Sequence, residues 1–236
     1  MSLEIIVDKP HDLPETLARR VETLAAEAFG QRGRFSIALP GGSVATAFLP
    51  RLAKARVDWA STDFFWGDER AVPPEHLDSN FGLAWSLWLK DAALPPARVH
   101  RMPAADDDLD AAARAYESVL VKHTGSPPAL DLALLGVGPD GHVCSLFPGH
   151  RLLQEETRLV ASIADSPKPP PQRLTLTLPA LGAARLLVVA AFGAAKAGVM
   201  REALESSASH LPVALALRRA TQALVLLDPP AAGRPA

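Results

Sequence analysis

Apolar residues fall in short runs along this chain, and the stretches between the runs repeat at helical spacing. Residues 3–7 (LEIIV) make the first run, and Lys9-Pro10 closes it. Over 13–29, Leu17, Val21, Leu24 and Ala28 recur three or four positions apart, the spacing of a helix with one buried face. Gly30 and Gly33 end that helix. Residues 35–39 form a second apolar run, with Pro40-Gly41-Gly42-Ser43 directly after it and a helical pattern over 45–52. Further strands are expected at 63–66, 99–101, 130–135, 159–163, 186–191 and 223–227, and at 173–178, where apolar and polar residues alternate. Helices are expected at 80–89, at 109–123, after Gly193 and after Pro212. Strands alternating with helices predict an α/β fold, an open and mostly parallel sheet with helices on both faces. No break in composition marks a second domain, so 1–228 is expected to form one α/β domain and 229–236 a flexible tail of small residues.

Composition narrows the function classes. With 236 residues, 48% of them apolar, the chain can bury a sizeable core. A formal net charge of −2 and the lack of a long basic block make nucleic acid or an anionic membrane an unexpected partner. No apolar run approaches the ~18–20 residues of a membrane span, and the first ten residues do not resemble a signal peptide. Cys144 is the only cysteine, which excludes an internal disulfide and suits a cytoplasmic setting. A monomer is compatible with all of this.

Three places carry candidate chemistry. After the run at 130–135 the chain continues Gly136-Val137-Gly138-Pro139-Asp140-Gly141-His142, a carboxylate and an imidazole on a glycine-rich loop following a buried strand. Such loops hold the chemistry of open α/β folds, and histidine is the side chain suited to proton exchange near neutral pH. The turn Gly41-Gly42-Ser43, between a strand and a helix, offers backbone N–H groups to an anion. Lys196 follows Gly193 at the start of a later helix and offers an ammonium in the same setting. Asp106-Asp107-Asp108 stands before a helix, where acidic residues cap rather than bind metal. No HExxH or clustered Cys/His spacing is present, so neither metal nor cofactor is expected.

Four separated motifs, in order, resemble the 6-phosphogluconolactonases. They are the Gly41-Gly42-Ser43 turn, Asp68-Glu69-Arg70-Ala71-Val72-Pro73 followed by Ser79-Asn80, the loop from Gly136 through Asp140-Gly141-His142 to Ser145-Leu146-Phe147-Pro148-Gly149, and Pro170-Pro171-Gln172-Arg173-Leu174-Thr175-Leu176-Thr177. The Gly-x-x-Lys ending at Lys196 matches as well. At the first turn the chain departs from the family's Gly-Gly-[Ser/Thr]-Thr-Pro, carrying Ser43-Val44-Ala45 instead and leaving mainly the backbone to hold an anion. The resemblance implies the sheet shared with sugar-phosphate deaminases and ribose-5-phosphate isomerase. It also implies hydrolysis of 6-phospho-D-glucono-1,5-lactone to 6-phosphogluconate in the oxidative pentose phosphate pathway, the partner being a small sugar phosphate lactone.

On that resemblance His142 is the general base, Asp140 orients it, and Arg70 faces the carbonyl side of the substrate. Asp68 joins the substrate-binding residues. Gly41, Gly42, Ser43, Arg173 and Lys196 take the phosphate. A lactone is an activated ester, so one base and one electropositive site suffice without metal or covalent intermediate. Three rival readings fit the residues less well. A glucosamine-6-phosphate deaminase typically carries Phe-Asn-Glu-Pro-Gly where this chain has 145–149. A serine hydrolase on Ser43 or Ser145 lacks a GxSxG elbow. A sugar-phosphate sensor would have little use for His142 and Arg70.

Overall fold

The computed structural model describes residues 2–125 and 127–235. In chain order the strands are β1 (Ser2–Val7), β2 (Phe35–Leu39), β3 (Thr62–Trp66), β4 (Asp68–Arg70), β5 (Leu132–Gly136), β6 (Val160–Ile163), β7 (Arg173–Leu176), β8 (Leu186–Ala191) and β9 (Gln222–Leu227). The helices are α1 (Leu13–Arg32), α2 (Gly42–Leu52), α3 (Asn80–Leu87), α4 (Leu109–Thr124), α5 (Leu178–Ala183), α6 (Ala197–Glu205) and α7 (Pro212–Arg219).

Six strands form one sheet in the order β1-β9-β8-β5-β2-β3, every neighbouring pair parallel. Parallel strands are covered on both faces and therefore largely apolar, and every residue of β2, β3 and β8 is buried, Ser36, Thr62 and Asp63 being the polar ones. Helices α1, α2 and α3 pack in one series, and α5, α7 and α6 in another. One apolar cluster runs through the whole assembly, from Leu17 on α1 to Val188 on β8 and Leu174 on β7.

The mostly parallel sheet agrees with the sequence pattern; a second, antiparallel sheet, β4-β7-β6, was not expected. β4 is Asp68-Glu69-Arg70, a strand without an apolar residue, so hydrophobic patterning passes over it. β7 stops at Leu176 because Pro179 sits in the first turn of α5, where proline is favoured. Residues 99–101 form no strand, only a bridge between Phe64 and Val99. Asp108 caps α4 as anticipated, its side chain accepting from Ala111 N–H at 2.9 Å. Residues 229–235, expected to trail as a flexible tail, make a hydrogen-bonded turn in which Arg234 N–H reaches Pro229 O at 2.8 Å and Ala231 is buried.

One polar cluster lies at the N-terminal end of β3, opposite the strand end that matters below. Asp63 Oδ1 receives His100 Nε2 at 2.8 Å and His123 Nδ1 at 3.1 Å, while Arg98 Nη1 donates to Oδ2 at 2.8 Å. Among the described residues this is the one grouping of three side chains with metal-ligating atoms close together. The direct imidazole–carboxylate bonds and the guanidinium already satisfy it.

Candidate active site

The carboxyl ends of β2, β3, β5 and β8 surround a cavity of about 230 Å³. From β2 the chain crosses to β3 on one side, while β5 pairs with β2 on the other. In open α/β sheets such a reversal leaves a crevice beyond the strand ends.

One wall is the start of α2. Gly41 is its N-cap, Gly42 has φ of 61°, and no side chain caps the helix. The first N–H groups of a helix have no partner within it, and here they stand at the cavity with Gly41, Gly42 and Ser43 in its lining. Gly41 is required for close approach, since a Cβ there would lie 1.9 Å from Asn80 Oδ1. Lys196 also lines the cavity, half-buried and without an ion-pair partner among the described residues. Burial, followed by the neighbouring Lys168 charge, pushes its pKa down, with Asp140 acting in the opposite sense.

His142 lines the cavity from the loop after β5. Gly138 N–H donates to His142 O at 2.9 Å and Gly141 N–H to Gly138 O at 2.9 Å, which folds the loop back on itself. A Cβ on Gly138 would lie 1.8 Å from His142 Nδ1, so only glycine leaves room for the ring. Nδ1 lies 2.5 Å from Asp140 Oδ1. The ring tilts against Phe147 with centroids 4.9 Å apart. A carboxylate on Nδ1 fixes the proton there and leaves the lone pair on Nε2. Burial lowers the pKa of His142, Asp140 raises it and Lys168 lowers it again, with a net depression. Burial also raises Asp140, but its bonds to His142 and the charge of Lys168 outweigh this and bring it down to about 2.

The remaining lining residues bind the motifs to one another. Asp68 Oδ2 accepts from Ser145 Oγ at 2.6 Å, and its Oδ1 from Asn80 Nδ2 at 3.0 Å. Glu69, also buried, accepts from the N–H of Asn80 and Phe81 at 2.7 Å each, from Arg70 N–H at 2.9 Å and from Ser79 Oγ at 3.0 Å. It therefore serves as an anchor under the N-terminus of α3, where the helix dipole favours a negative charge. Arg70 gives Nη1 to Asp78 O at 2.6 Å, and its buried Nε has no protein partner. Antiparallel pairing of β7 with β4 sets Arg173 opposite Arg70 and so carries it to this edge of the molecule. Its guanidinium is nonetheless engaged: Nε with Pro170 O at 3.0 Å, Nη2 with Lys168 O at 3.0 Å and Pro169 O at 3.1 Å, and Nη1 with Ser145 Oγ at 3.3 Å.

Gly41, Gly42, Ser43, Asp68, Arg70, His142, Arg173 and Lys196 thus line one cavity, and Asp140 stands behind His142. Ser145 is fully buried and hydrogen-bonded, with no access to a substrate carbonyl. Burial pushes the Cys144 thiol well up, away from thiolate chemistry. Sequence reasoning missed Lys168, whose Nζ lies 3.1 Å from His142 Nδ1 and 3.3 Å from Asp140 Oδ2. It also missed the anchoring role of Glu69. Only the position of Lys168 just before the Pro169-Pro170-Pro171 run signalled it.

The chain is similar to known proteins over nearly all of its length. The family described as glucosamine-6-phosphate isomerases/6-phosphogluconolactonase matches residues 8–226. A 6-phosphogluconolactonase of Rattus norvegicus is 41% identical over 234 residues, covering 96% of this chain and 91% of that protein. One from Streptomyces coelicolor is 37% identical, covering 98% and 94%. Among solved structures, a 6-phosphogluconolactonase from Trypanosoma cruzi superposes with a TM-score of 0.87 at 27% identity, covering 99% of this chain and 97% of that one. A monomeric glucosamine-6-phosphate deaminase reaches 0.82 at 21% identity, a likeness of fold, covering 99% of each chain. The chain belongs to the glucosamine-6-phosphate isomerase/6-phosphogluconolactonase family.

Proposed function

We propose that this chain hydrolyses 6-phospho-D-glucono-1,5-lactone to 6-phosphogluconate, with His142 as the general base. The observation that carries the reading is that the His142–Asp140 pair, an uncapped helix N-terminus and Lys196 meet at one cavity. The phosphate lies against Gly41, Gly42 and Ser43 with Lys196 as counter-charge, which sets the lactone carbonyl toward His142. Binding energy from that remote group is spent on orientation. His142 Nε2 takes a proton from water as the water oxygen attacks the carbonyl carbon. Negative charge gathers on the carbonyl oxygen, and the guanidinium of Arg70 answers it. Asp140 stabilises the imidazolium. As the tetrahedral intermediate collapses, the ring C–O bond breaks and His142 returns its proton to the departing oxygen. Asp68 and Arg173 shape the wall, their polar groups being tied chiefly to protein partners.

The deaminase reading lacks its acidic group, since Ser145-Leu146-Phe147-Pro148-Gly149 follows Val143-Cys144 and Ser145 is buried. The test offers the purified protein both substrates. Lactone loss well above the spontaneous rate, without ammonia release from glucosamine-6-phosphate, is expected. Catalysed ammonia release, or lactone loss at the background rate, overturns the reading. A cytoplasmic location goes with this proposal. Among the described residues no helix is long and apolar enough to cross a membrane.

A further inference from the structure

We infer that Lys168 is a positioning residue for the His142–Asp140 pair, and that Arg173 acts through Lys168 by clamping the loop that carries it. The inference rests on His142 being the base proposed above. Lys168 Nζ lies 3.3 Å from Asp140 Oδ2, 3.4 Å from Asp140 Oδ1 and 3.1 Å from His142 Nδ1, so a single ammonium touches both members of the pair. An ammonium has only donors. Facing a ring nitrogen that already gives its proton to Asp140, it cannot add a second bond there. Its contact with Nδ1 is therefore electrostatic: it opposes a positive imidazolium while holding the carboxylate in place. From outside this trio Asp68 acts on His142 in the raising sense and less than Lys168 does; Arg70, Arg173 and Lys196 line the same cavity.

A lysine on a long flexible stem needs a fixed base to do this. The loop supplies one. Ser166 N–H donates to Pro171 O at 3.0 Å, and Ser166 Oγ to Lys168 O at 2.8 Å. Arg173 then spends its fork on three successive carbonyls, those of Lys168, Pro169 and Pro170. The guanidinium carbon lies 5.7 Å from the centroid of Phe147, the same ring that abuts His142. Arg173 is buried, and a guanidinium committed in this way has little left to donate to a phosphate.

The test uses Lys168→Met, Lys168→Arg, Arg173→Lys and the double variant Lys168→Met/Arg173→Lys. The titration of His142 is followed by NMR without substrate, and kcat/KM is measured against pH. In Lys168→Met the His142 midpoint is expected to rise by about one pH unit, the low end of what one adjacent charge does. The acid limb of kcat/KM should move with it, and Lys168→Arg should restore both. Arg173→Lys keeps the charge but not the fork; it should shift the midpoint in the same direction, add little in the Lys168→Met background, and leave 6-phosphogluconate affinity near wild type. An unmoved His142 midpoint in folded Lys168→Met overturns the role of Lys168. Additive effects in the double variant, or a large loss of 6-phosphogluconate affinity in Arg173→Lys, overturn the clamp. If Arg173→Lys does not fold, the Lys168 variants decide the first part alone. Because the titration needs no substrate, absence of lactone turnover would count against the proposed activity and leave this result readable.

Discussion

Replacing His142 by alanine removes the proposed general base, and the contacts that hold the ring bear on the size of the expected loss. Loss of a general base costs typically 10²–10⁴ in rate, or about 2.7–5.4 kcal/mol of barrier at 1.36 kcal/mol per tenfold. The larger figure applies where the base is also held in place. Here Asp140 fixes Nδ1 at 2.5 Å and Phe147 backs the ring, so His142 enters the reaction already oriented. The lactone is an activated ester with a fast spontaneous reaction, which favours the smaller figure. Hence kcat should fall by roughly two to three orders of magnitude, while 6-phosphogluconate affinity should change little, because the proposed phosphate contacts at Gly41, Gly42, Ser43 and Lys196 are untouched.

The pH dependence supplies a second reading of the same group. Only neutral imidazole can act as the base. Burial and Lys168 hold the His142 pKa below its ordinary value, so the enzyme should remain active below pH ~6.5, where a free imidazole is half protonated. Activity then falls as pH drops through the depressed value. Asp140, at about 2, stays ionised through that range and contributes no second limb. The assay is lactone hydrolysis followed against the uncatalysed background, with the thermal midpoint as a folding control. A folded His142→Ala with near-wild-type kcat would remove His142 from the mechanism. An acid limb above the ordinary imidazole value would show that the local field has been read with the wrong sign.

Exhaustive chelation should leave lactone hydrolysis unchanged. The Asp63–His100–His123 group is remote from the cavity, so activity restored by Zn²⁺ after chelation would contradict the metal-free mechanism. Lys196→Ala should weaken 6-phosphogluconate binding by roughly tenfold or more, a charge-assisted contact being worth about 1.5–3 kcal/mol. Calorimetry with unphosphorylated gluconolactone as the control should show no comparable loss. Glu69→Ala strips the acceptor from three backbone N–H groups and Ser79 Oγ. Orphaned buried donors of that kind cost on the order of 3 kcal/mol together, a drop of roughly 6–12 °C in Tm for a chain of this size; an unchanged Tm would deny the anchoring role.

The parallel sheet was legible because its inner strands are buried and so appear as largely apolar runs, each followed by a glycine or proline break; the exposed edge strand β1 still keeps Ile5-Ile6-Val7 before Pro10. The antiparallel sheet was not. β4 is three charged residues whose side chains are taken up by capping and ion-pair duties, and nothing in their hydrophobicity marks a strand. α5 was lost for a related reason: Leu178-Pro179 prolongs the alternation of β7, and the proline that opens the helix looks like the end of a strand.

The site was legible to the extent that chemistry follows chain order, and obscured where it depends on chain crossing. His142 and Asp140 are two residues apart on one loop, and Gly41, Gly42 and Ser43 are contiguous, so each group carries its meaning locally. Arg173 starts its strand, and in a parallel sheet that would hold it at the edge away from the cavity. The antiparallel pairing with β4 resolves that: it turns the start of β7 toward the carboxyl edge and sets Arg173 level with Arg70. The same pairing brings Lys168, 28 residues after Asp140, against Asp140. A residue whose role depends on which way a neighbouring strand runs has no local signature. Its partner carbonyls on Lys168, Pro169 and Pro170 belong to the backbone, which every residue supplies alike. Whether Arg173 serves the loop, as inferred above, or a phosphate turns on the direction of its N–H groups, a property of the folded chain alone.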